Sequence, residues 1–227
     1  MPSILFVFTS ATVTLTGTPA GWYLPEAAHP YYILEPHFKI DFAAPLGGDP
    51  PIDPGSVETY KSDEPSVRFL NDPIVTQKLA EAKKLSDINA SDYDVVFYVG
   101  GHGPAIDLAA DKEVNGKLVS DFWQQGKIVS AVCHGPAALL HGLDADGNSI
   151  FKNRAVTAFS NAEESAFGTV DAIPIALETE IVNRGAKFEK ASELWAAHVV
   201  VDGQLYTGQN PASASPLAEV ILAAFQA

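Results

Sequence analysis

The segment 127–140, KIVSAVCHGPAALL, constrains the fold of this chain more than any other part of its sequence. Residues 128–132 form a short, mostly apolar run with β-branched members, which is typical of a strand buried on both faces. Gly135 and Pro136 end that run, and residues 137–140 read as the first turn of a helix. A buried strand that turns at once into a helix predicts an α/β fold with a mostly parallel sheet.

Cys133, the only cysteine of the chain, lies at this turn and is followed by His134. We expect the thiol to face the crevice at the carboxyl end of the sheet, where the N–H groups and partial positive charge of a helix N-terminus favour a thiolate. Ala131 and Gly135 are small, as are the residues around the nucleophile elbow of hydrolases. A buried structural cysteine is the alternative, but the position of Cys133 favours a nucleophile.

The whole sequence predicts one α/β domain over residues 1–227. A chain of 227 residues with 47% hydrophobic composition can form one large core or at most two small ones. Strand-like runs alternate with helical stretches, which favours a single domain with helices on both faces of the sheet. The strands are predicted at 4–8, 39–43, 94–99, 128–132, 154–159, 187–189, 198–201 and 204–207. Helices are predicted from about residue 25, at 74–85, 112–125 and 178–184, after Ser160, and at the end through residue 225.

The segment 45–73 differs in character from the rest of the chain. It holds six prolines, the pair Gly47-Gly48 and many acidic residues. Such a composition predicts a surface excursion with little regular structure and a candidate cap over the crevice.

Two further candidates should lie at the same edge of the sheet as Cys133. Glu26 is predicted near the N-terminus of the first helix; a carboxylate that merely complements the helix dipole is the alternative interpretation. The loop GGHGP at 100–104 follows a strand, and its glycines allow close approach of a ligand. The N–H groups of Gly101 and His134 are therefore candidates for an oxyanion hole. His102 is either a substrate contact or a loop-stabilising imidazole.

Glu164 is a candidate for orienting His134. Ser160 and Glu163 have the spacing of a capping box at the start of a helix. The next residue, Glu164, has no part in the capping box, and like the other candidates it follows a predicted strand.

Composition excludes several classes of function. The formal charge of −14 argues against nucleic-acid binding and against attraction to anionic membranes. The apolar opening at residues 3–8 is too short for a signal peptide or a membrane span. A single cysteine permits no internal disulfide and fits a reducing, cytoplasmic compartment. The six histidines are scattered, and none has a partner at ligand spacing on one predicted element, so no metal site is predicted.

Four motifs, taken together and in this order, resemble the DJ-1/PfpI superfamily, and most closely its Hsp31-like subgroup. They are EAAHP at 26–30, GGHG at 100–103, AVCHGP at 131–136 and TGQNPAS at 207–213. Many members of that subgroup are glutathione-independent glyoxalases (glyoxalase III, D-lactate dehydratase). The resemblance implies a flavodoxin-like sandwich with Cys133 as nucleophile and Glu26 as adjacent proton carrier, and it pairs His134 with Glu164. The segment 45–73 matches no motif of the family.

The function expected from this resemblance is cofactor-free conversion of a 2-oxoaldehyde such as methylglyoxal to a 2-hydroxy acid (D-lactate). Cys133 would form a hemithioacetal, with Glu26 protonated beside the thiolate. Three alternatives stay open. The site could serve an amidase, protease or hydratase; the protein could be a chaperone-like holdase of the stress response with an exposed apolar patch; or Cys133 could be a redox sensor. A homodimer is a further expectation.

Overall fold

The computed structural model describes residues 1–226, so the last residue of the predicted domain 1–227 lies outside the described residues. Within residues 1–226 a seven-stranded sheet has the order β3-β2-β1-β4-β5-β9-β8, and each neighbouring pair is parallel except the antiparallel hairpin β8–β9. A second, two-stranded parallel sheet pairs β6 with β7. The strands are β1 Ser3–Val7, β2 Lys39–Ala44, β3 Lys83–Lys84, β4 Val95–Tyr98, β5 Ile128–Val132, β6 Ala155–Val156, β7 Lys187–Phe188, β8 Val199–Asp202 and β9 Leu205–Gly208.

Helices cover both faces of the seven-stranded sheet, which confirms the predicted flavodoxin-like class. The α-helices are α1 Leu24–Leu34, α2 Pro54–Thr59, α3 Glu64–Asn71, α4 Pro73–Ala80, α5 Gly103–Ile106, α6 Lys117–Gln124, α7 Asn161–Phe167, α8 Leu177–Asn183 and α9 Ala214–Ala223.

Strand β1 shows why the central strands are apolar without alternation. Ile4 and Phe6 pack into a core cluster with α1 and α9, whereas Leu5 and Val7 belong to the cluster that contains α6. Successive side chains of a strand point to opposite faces, so a strand covered on both faces needs apolar residues at every position.

The carboxyl ends of β1, β4 and β5 lie side by side. Val7 is in register with Tyr98, and Tyr98 is in register with Ala131. The segments that follow these strands therefore meet at one edge of the sheet, and they carry the predicted candidates.

Three predicted elements are wrong in extent or kind. The strand at 154–159 shortens to β6, which pairs outside the main sheet. The helix at 74–85 ends at Ala80, and Lys83–Lys84 instead pair with β2 as edge strand β3. The helical turn after Cys133 is a 3-10 helix, Gly135–Leu139, and not the start of an α-helix. A segment this short has little of the dipole on which the expected thiolate stabilisation relied.

The prediction of little regular structure in 45–73 is also wrong, because this segment contains α2 and α3. Asp53 and Asp63 cap these helices by accepting hydrogen bonds from the N–H groups of Ser56 and Ser66. A proline stands in the first turn of each helix, where it lacks only a hydrogen bond that the helix would not make. The high proline content of the segment therefore does not indicate a lack of regular structure.

Among residues 1–226, no helix combines the length and the apolar character that crossing a membrane requires.

Candidate active site

Cys133 lies at the end of β5 in a backbone conformation that is rare outside glycine, with φ of 60°. Its N–H donates to the carbonyl oxygen of Gly208 over 2.9 Å, and its own carbonyl oxygen accepts from the N–H of Phe159 over 2.9 Å. Two segments thus hold the turn on either side of the cysteine. A strained residue held this firmly is a frequent feature of functional sites.

The side chain of Glu26, from the first turn of α1, lies against Cys133. The carboxyl is fully buried, and its neighbours are the thiol and the backbone of Gly100. Burial raises the pKa of Glu26 well above 4.5 and so favours the protonated carboxyl, which can donate to the sulfur. The sequence predicted a protonated Glu26, and the direction of this shift agrees with that prediction.

The thiol of Cys133 is also buried, and its environment acts on its pKa in two directions. Burial raises the pKa, and a charged Glu26 would raise it further, whereas the N–H groups of Gly101 and His134 lower it. The net shift is upward, contrary to the expectation that a helix N-terminus would favour the thiolate. The two N–H groups predicted as an oxyanion hole face the sulfur itself and are the polar support that the thiolate receives.

His134 and Glu164 form a buried pair behind the thiol. His134 Nε2 lies 2.6 Å from Glu164 Oε2, and His134 Nδ1 lies 3.5 Å from Cys133 Sγ. Burial lowers the pKa of His134 below 6.5, so the imidazole is neutral at pH 7. With Nε2–H donating to the carboxylate, Nδ1 is the ring atom left to accept a proton next to the sulfur.

Glu164 is ionised although it is buried. Burial opposes ionisation, but the nearby imidazole of His102 and hydrogen bonds from His134 and the Thr169 hydroxyl outweigh it and hold the pKa of Glu164 well below its usual range. A carboxylate fixed in this way can orient His134 and stabilise its protonated form.

His102 completes a group of three potential metal ligands. Its Nε2 lies 3.4 Å from Glu164 Oε1, and the ligand atoms of His102, His134 and Glu164 all lie within 4.8 Å of one another. Sequence reasoning sought ligands on single elements and missed this group, whose members come from three segments. Two imidazoles and a carboxylate could hold a transition metal, so the predicted absence of a metal stays a prediction.

A cavity of about 330 Å³ opens above Cys133 and is lined mainly by aromatic side chains. Gly101, His102, Cys133 and His134 are the predicted candidates that line it. The lining residues that the sequence analysis did not identify are Tyr23, Tyr60, Phe159, Phe167, Trp195, Asn210, Pro211 and Ala212. A weak signal existed, since Phe159 ends a predicted strand and 210–212 belong to the TGQNPAS motif, but Tyr60 and Trp195 stand in segments without a recognisable pattern.

The predicted capping box between Ser160 and Glu163 is present at the start of α7. Glu163 does more than cap the helix, because its buried carboxyl also accepts from Gln209 Nε2 over 2.8 Å and from Asn210 Nδ2 over 2.8 Å. It accepts in addition from the N–H of Trp195 over 3.1 Å. One carboxylate thus joins three segments around the cavity.

Comparison with known proteins adds to this geometry. Residues 75–224 match the DJ-1/PfpI family. The chain is 30% identical to "Glutathione-independent glyoxalase HSP31" of Saccharomyces cerevisiae, over 87% of this chain and 86% of that protein. It resembles the crystal structure of glyoxalase III from Candida albicans with a TM-score of 0.88 and 29% identity, covering 98% of this chain and 97% of that one. It also resembles Rapid Encystment Protein 24 kDa of Francisella tularensis, with a TM-score of 0.91, 35% identity and 97% coverage of both chains.

Proposed function

This chain belongs to the DJ-1/PfpI family, and from that premise we propose that it is a glutathione-independent glyoxalase. The reaction is the conversion of a 2-oxoaldehyde such as methylglyoxal to a 2-hydroxy acid, without an added cofactor. The observation that carries the proposal is the placement of the buried Glu26 carboxyl against the Cys133 thiol, and of His134 Nδ1 3.5 Å from the sulfur, beside an open cavity.

The first step is addition of Cys133 Sγ to the aldehyde carbon. The C–S bond forms as the carbonyl π bond breaks, and the electron pair passes to the aldehyde oxygen, which takes a proton to give a hemithioacetal. Glu26, which lies against the thiol, relays this proton: its carboxyl takes the thiol proton on one oxygen as the C–S bond forms and gives up its own proton, which passes to the aldehyde oxygen. The N–H groups of Gly101 and His134, which face the sulfur, stabilise the negative charge that starts there.

The second step moves a proton between the two substrate carbons. Nδ1 of His134 faces the sulfur. It removes a proton from the substrate carbon that is bonded to the sulfur, and this gives an enediol. Glu164 stabilises the imidazolium that forms, because its carboxylate lies 2.6 Å from Nε2. The ketone oxygen takes a proton as the enediol forms. Return of a proton to the former ketone carbon, with loss of the hydroxyl proton on the carbon bonded to sulfur, then leaves a thioester of the 2-hydroxy acid.

The third step is hydrolysis of the thioester by water. Water attacks the thioester carbon, the C–S bond breaks, and the thiol recovers its proton as the acid leaves. The overall change adds one water to the oxoaldehyde and needs no external oxidant or reductant, because the aldehyde carbon is oxidised as the ketone carbon is reduced.

An apolar surface at the cavity mouth supports a second candidate, a chaperone-like holdase. Phe167 and Trp195 are both exposed, line the cavity and lie with their ring centroids 6.1 Å apart. Exposed apolar side chains grouped in this way are typical of sites that bind other molecules. Suppression of aggregation that persists in Cys133→Ala would favour this role over catalysis.

The direct test of the glyoxalase proposal is to mix the purified protein with methylglyoxal in the absence of thiols and to quantify lactate. We expect lactate from the parent protein and essentially none from Cys133→Ala or Cys133→Ser, with circular dichroism showing that both variants are folded. Lactate formation by Cys133→Ala at the parent rate would contradict the mechanism. Turnover of an amide or peptide, with none of methylglyoxal, would assign the same thiol to another reaction.

A cytoplasmic location and a homodimer are part of the proposal. A single buried thiol is the form that a reducing compartment preserves. Cell fractionation tests the location, and light scattering of the purified protein tests the oligomeric state.

A further inference from the structure

An aromatic wall lies beside Cys133, and of its rings only that of His134 takes part in the proposed mechanism. It consists of His102, His134, Phe159, Phe167 and Trp195, and each ring neighbours the next. The centroid distances are 4.5 Å for His134–Phe159, 5.7 Å for Phe159–Trp195, 6.1 Å for Phe167–Trp195, 6.1 Å for His102–Phe167 and 4.7 Å for His102–His134. These spacings are those at which aromatic rings attract one another.

Two tyrosines add further rings to the cavity lining. Tyr23 and Tyr60 meet edge to face with centroids 5.9 Å apart. The cavity of about 330 Å³ falls in the range of roughly 300–1,000 Å³ that is typical of pockets for drug-sized ligands. Methylglyoxal carries a single methyl group beside its two carbonyls, so it would leave most of this lining without a contact.

Trp195 is held in position before a substrate arrives. Its φ of 67° is a conformation that costs a non-glycine residue energy, and its N–H donates to Glu163 Oε1 over 3.1 Å. Burial opposes ionisation of Glu163, but hydrogen bonds from Asn210 and Gln209 outweigh it and hold the pKa of this carboxyl below its usual range. The carboxylate fixes the backbone of Trp195 beside the cavity, which lowers the cost of ordering this residue when a substrate binds.

We propose that the aromatic wall selects 2-oxoaldehydes whose ketone carbon carries an aromatic ring, the class represented by phenylglyoxal. This inference rests on the proposed function. The described lining includes no lysine or arginine to pair with an anionic substituent, and the carboxylate of Glu164 behind the wall would repel one. A neutral aromatic substituent can instead stack on these rings. The reaction adds one water to phenylglyoxal and gives mandelate, so its atoms and electrons balance as they do for methylglyoxal.

The test compares kcat/KM for phenylglyoxal and for methylglyoxal in the parent protein, Trp195→Ala and Phe167→Ala. We expect the parent to prefer phenylglyoxal, and each substitution to lower the ratio of the two values by roughly tenfold. Phe225→Ala is the matched control, because Phe225 is as exposed as Trp195 (40% against 42%) but packs on Phe38, away from the described cavity lining. Phe167 is 53% exposed, so its removal leaves the fold intact.

Two results would overturn the inference: a parent protein that prefers methylglyoxal or treats both aldehydes alike, or a ratio that falls equally in Phe225→Ala. Phenylglyoxal also reacts with arginine side chains, and this chain has Arg68, Arg154 and Arg184. The rate of phenylglyoxal loss with Cys133→Ala therefore serves as the blank, and mandelate is quantified as the product.

A binding measurement separates failure of this inference from failure of the proposed function. Acetophenone and acetone are titrated into Cys133→Ala and into the double variant Cys133→Ala/Trp195→Ala, by calorimetry. We expect acetophenone to bind at least tenfold more tightly than acetone, and this preference to vanish in the double variant. If neither aldehyde is turned over, the glyoxalase proposal fails while the aromatic wall is still tested. Equal binding of acetophenone and acetone would contradict the proposed selectivity of the aromatic wall, whether or not the aldehydes are turned over.

Discussion

At the scale of the residue, the site consists of two buried acids, the Glu26 carboxyl and the Cys133 thiol, whose surroundings both favour the protonated form. Burial raises the pKa of both groups; a charged Glu26 would raise the pKa of the thiol further, whereas the hydrogen bond with Cys133 lowers the pKa of Glu26. The N–H groups of Gly101 and His134 act on the sulfur alone. The resting site therefore holds a thiol beside a carboxylic acid, and a thiolate formed during the reaction would accept hydrogen bonds from Glu26 and from these two N–H groups.

Glu26→Gln is expected to lower methylglyoxal turnover by about a hundred to ten thousand-fold, the usual size of a general acid–base contribution. The amide keeps the shape and still donates to the sulfur, but it cannot transfer a proton. A raised pKa means that the native state holds a proton that the unfolded chain releases, so the parent loses stability as pH rises above about 4.5. The variant lacks that loss, and its Tm at about pH 8 should equal or exceed that of the parent.

Turnover and thermal melting of Glu26→Gln are measured on the same preparation. Near-normal turnover with a slightly lowered Tm would instead mean that Glu26 only complements the dipole of α1, a contribution of about 0.3–1 kcal/mol.

The pH profile of kcat/KM should carry an acid limb due to His134. Burial favours the neutral imidazole, so His134 loses its proton at a lower pH than usual and the limb should have its midpoint below 6.5. The hydrogen bond to Glu164 acts in the opposite direction and raises the pKa of His134. Glu164→Gln should therefore move the limb to still lower pH and reduce the rate less than Cys133→Ala does. Rates are recorded from about pH 4 to about pH 8. An acid limb whose midpoint is unchanged in Glu164→Gln would show that the limb does not arise from His134.

At the scale of the element, the site depends on how closely the segment after β4 approaches the turn after β5. A Cβ atom at Gly100 would lie 2.2 Å from Glu26 Oε2 and 2.8 Å from Cys133 Cβ. Gly100→Ala should therefore lower the free energy of unfolding by about 1–3 kcal/mol, the usual cost of overpacking, and should separate Glu26 from the sulfur. Urea denaturation and turnover measure the two effects.

Gly55→Ala is the control for that substitution. Gly55 lies in α2, where a Cβ atom would meet only the Asp53 side chain at 3.0 Å, and alanine is the better helix former. We expect its stability to be unchanged or slightly higher. Equal destabilisation by both substitutions would show that the close approach at Gly100 is not the cause.

The elements that sequence predicted well are those whose residues carry a local signal. The strand around residues 4–8 is an uninterrupted apolar run and that at 128–132 is apolar apart from Ser130, and the Asp202-Gly203 turn predicts the β8–β9 hairpin. Because the carboxyl ends of parallel strands share an edge, the neighbourhood of Glu26 and Cys133 could also be predicted.

What sequence did not predict depends on contacts between distant segments. The 3-10 form of Gly135–Leu139 is fixed by packing and not by residue type. The upward shift of the pKa of Cys133 arises from burial, which no local pattern reports. Trp195 reaches the cavity because Glu163 binds its N–H, a contact across 32 residues of chain. Such long-range contacts leave no periodic signal in the sequence.

At the scale of the whole molecule, the segment 45–73 is joined to the core and does not lie loosely over it. Trp22 Nε1–H donates to the carbonyl oxygen of Pro50 over 3.0 Å, and the N–H of Leu24 donates to Ser56 Oγ over 3.1 Å. Phe69 of α3 is 1% exposed and contacts the rings of Trp22 and Tyr31. Elements that share a core in this way unfold together.

Asp63→Ala tests whether this segment and the sheet form one cooperative unit. Asp63 caps α3 by accepting from the N–H of Ser66, and its Oδ2 lies 2.7 Å from His29 Nε2 on α1. Loss of a cap costs about 0.5–2 kcal/mol, and each kcal/mol lowers Tm by roughly 2–4 °C in a chain of this size. If the segment and the sheet form one unit, Asp63→Ala should lower the temperature of a single calorimetric transition, and the calorimetric and van't Hoff enthalpies should be equal. The control Asp146→Ala, at an exposed turn, should leave the temperature of that transition unchanged. A separate early transition that alone responds to Asp63→Ala would show instead that 45–73 folds as an independent layer and that residues 1–226 are more than one cooperative domain.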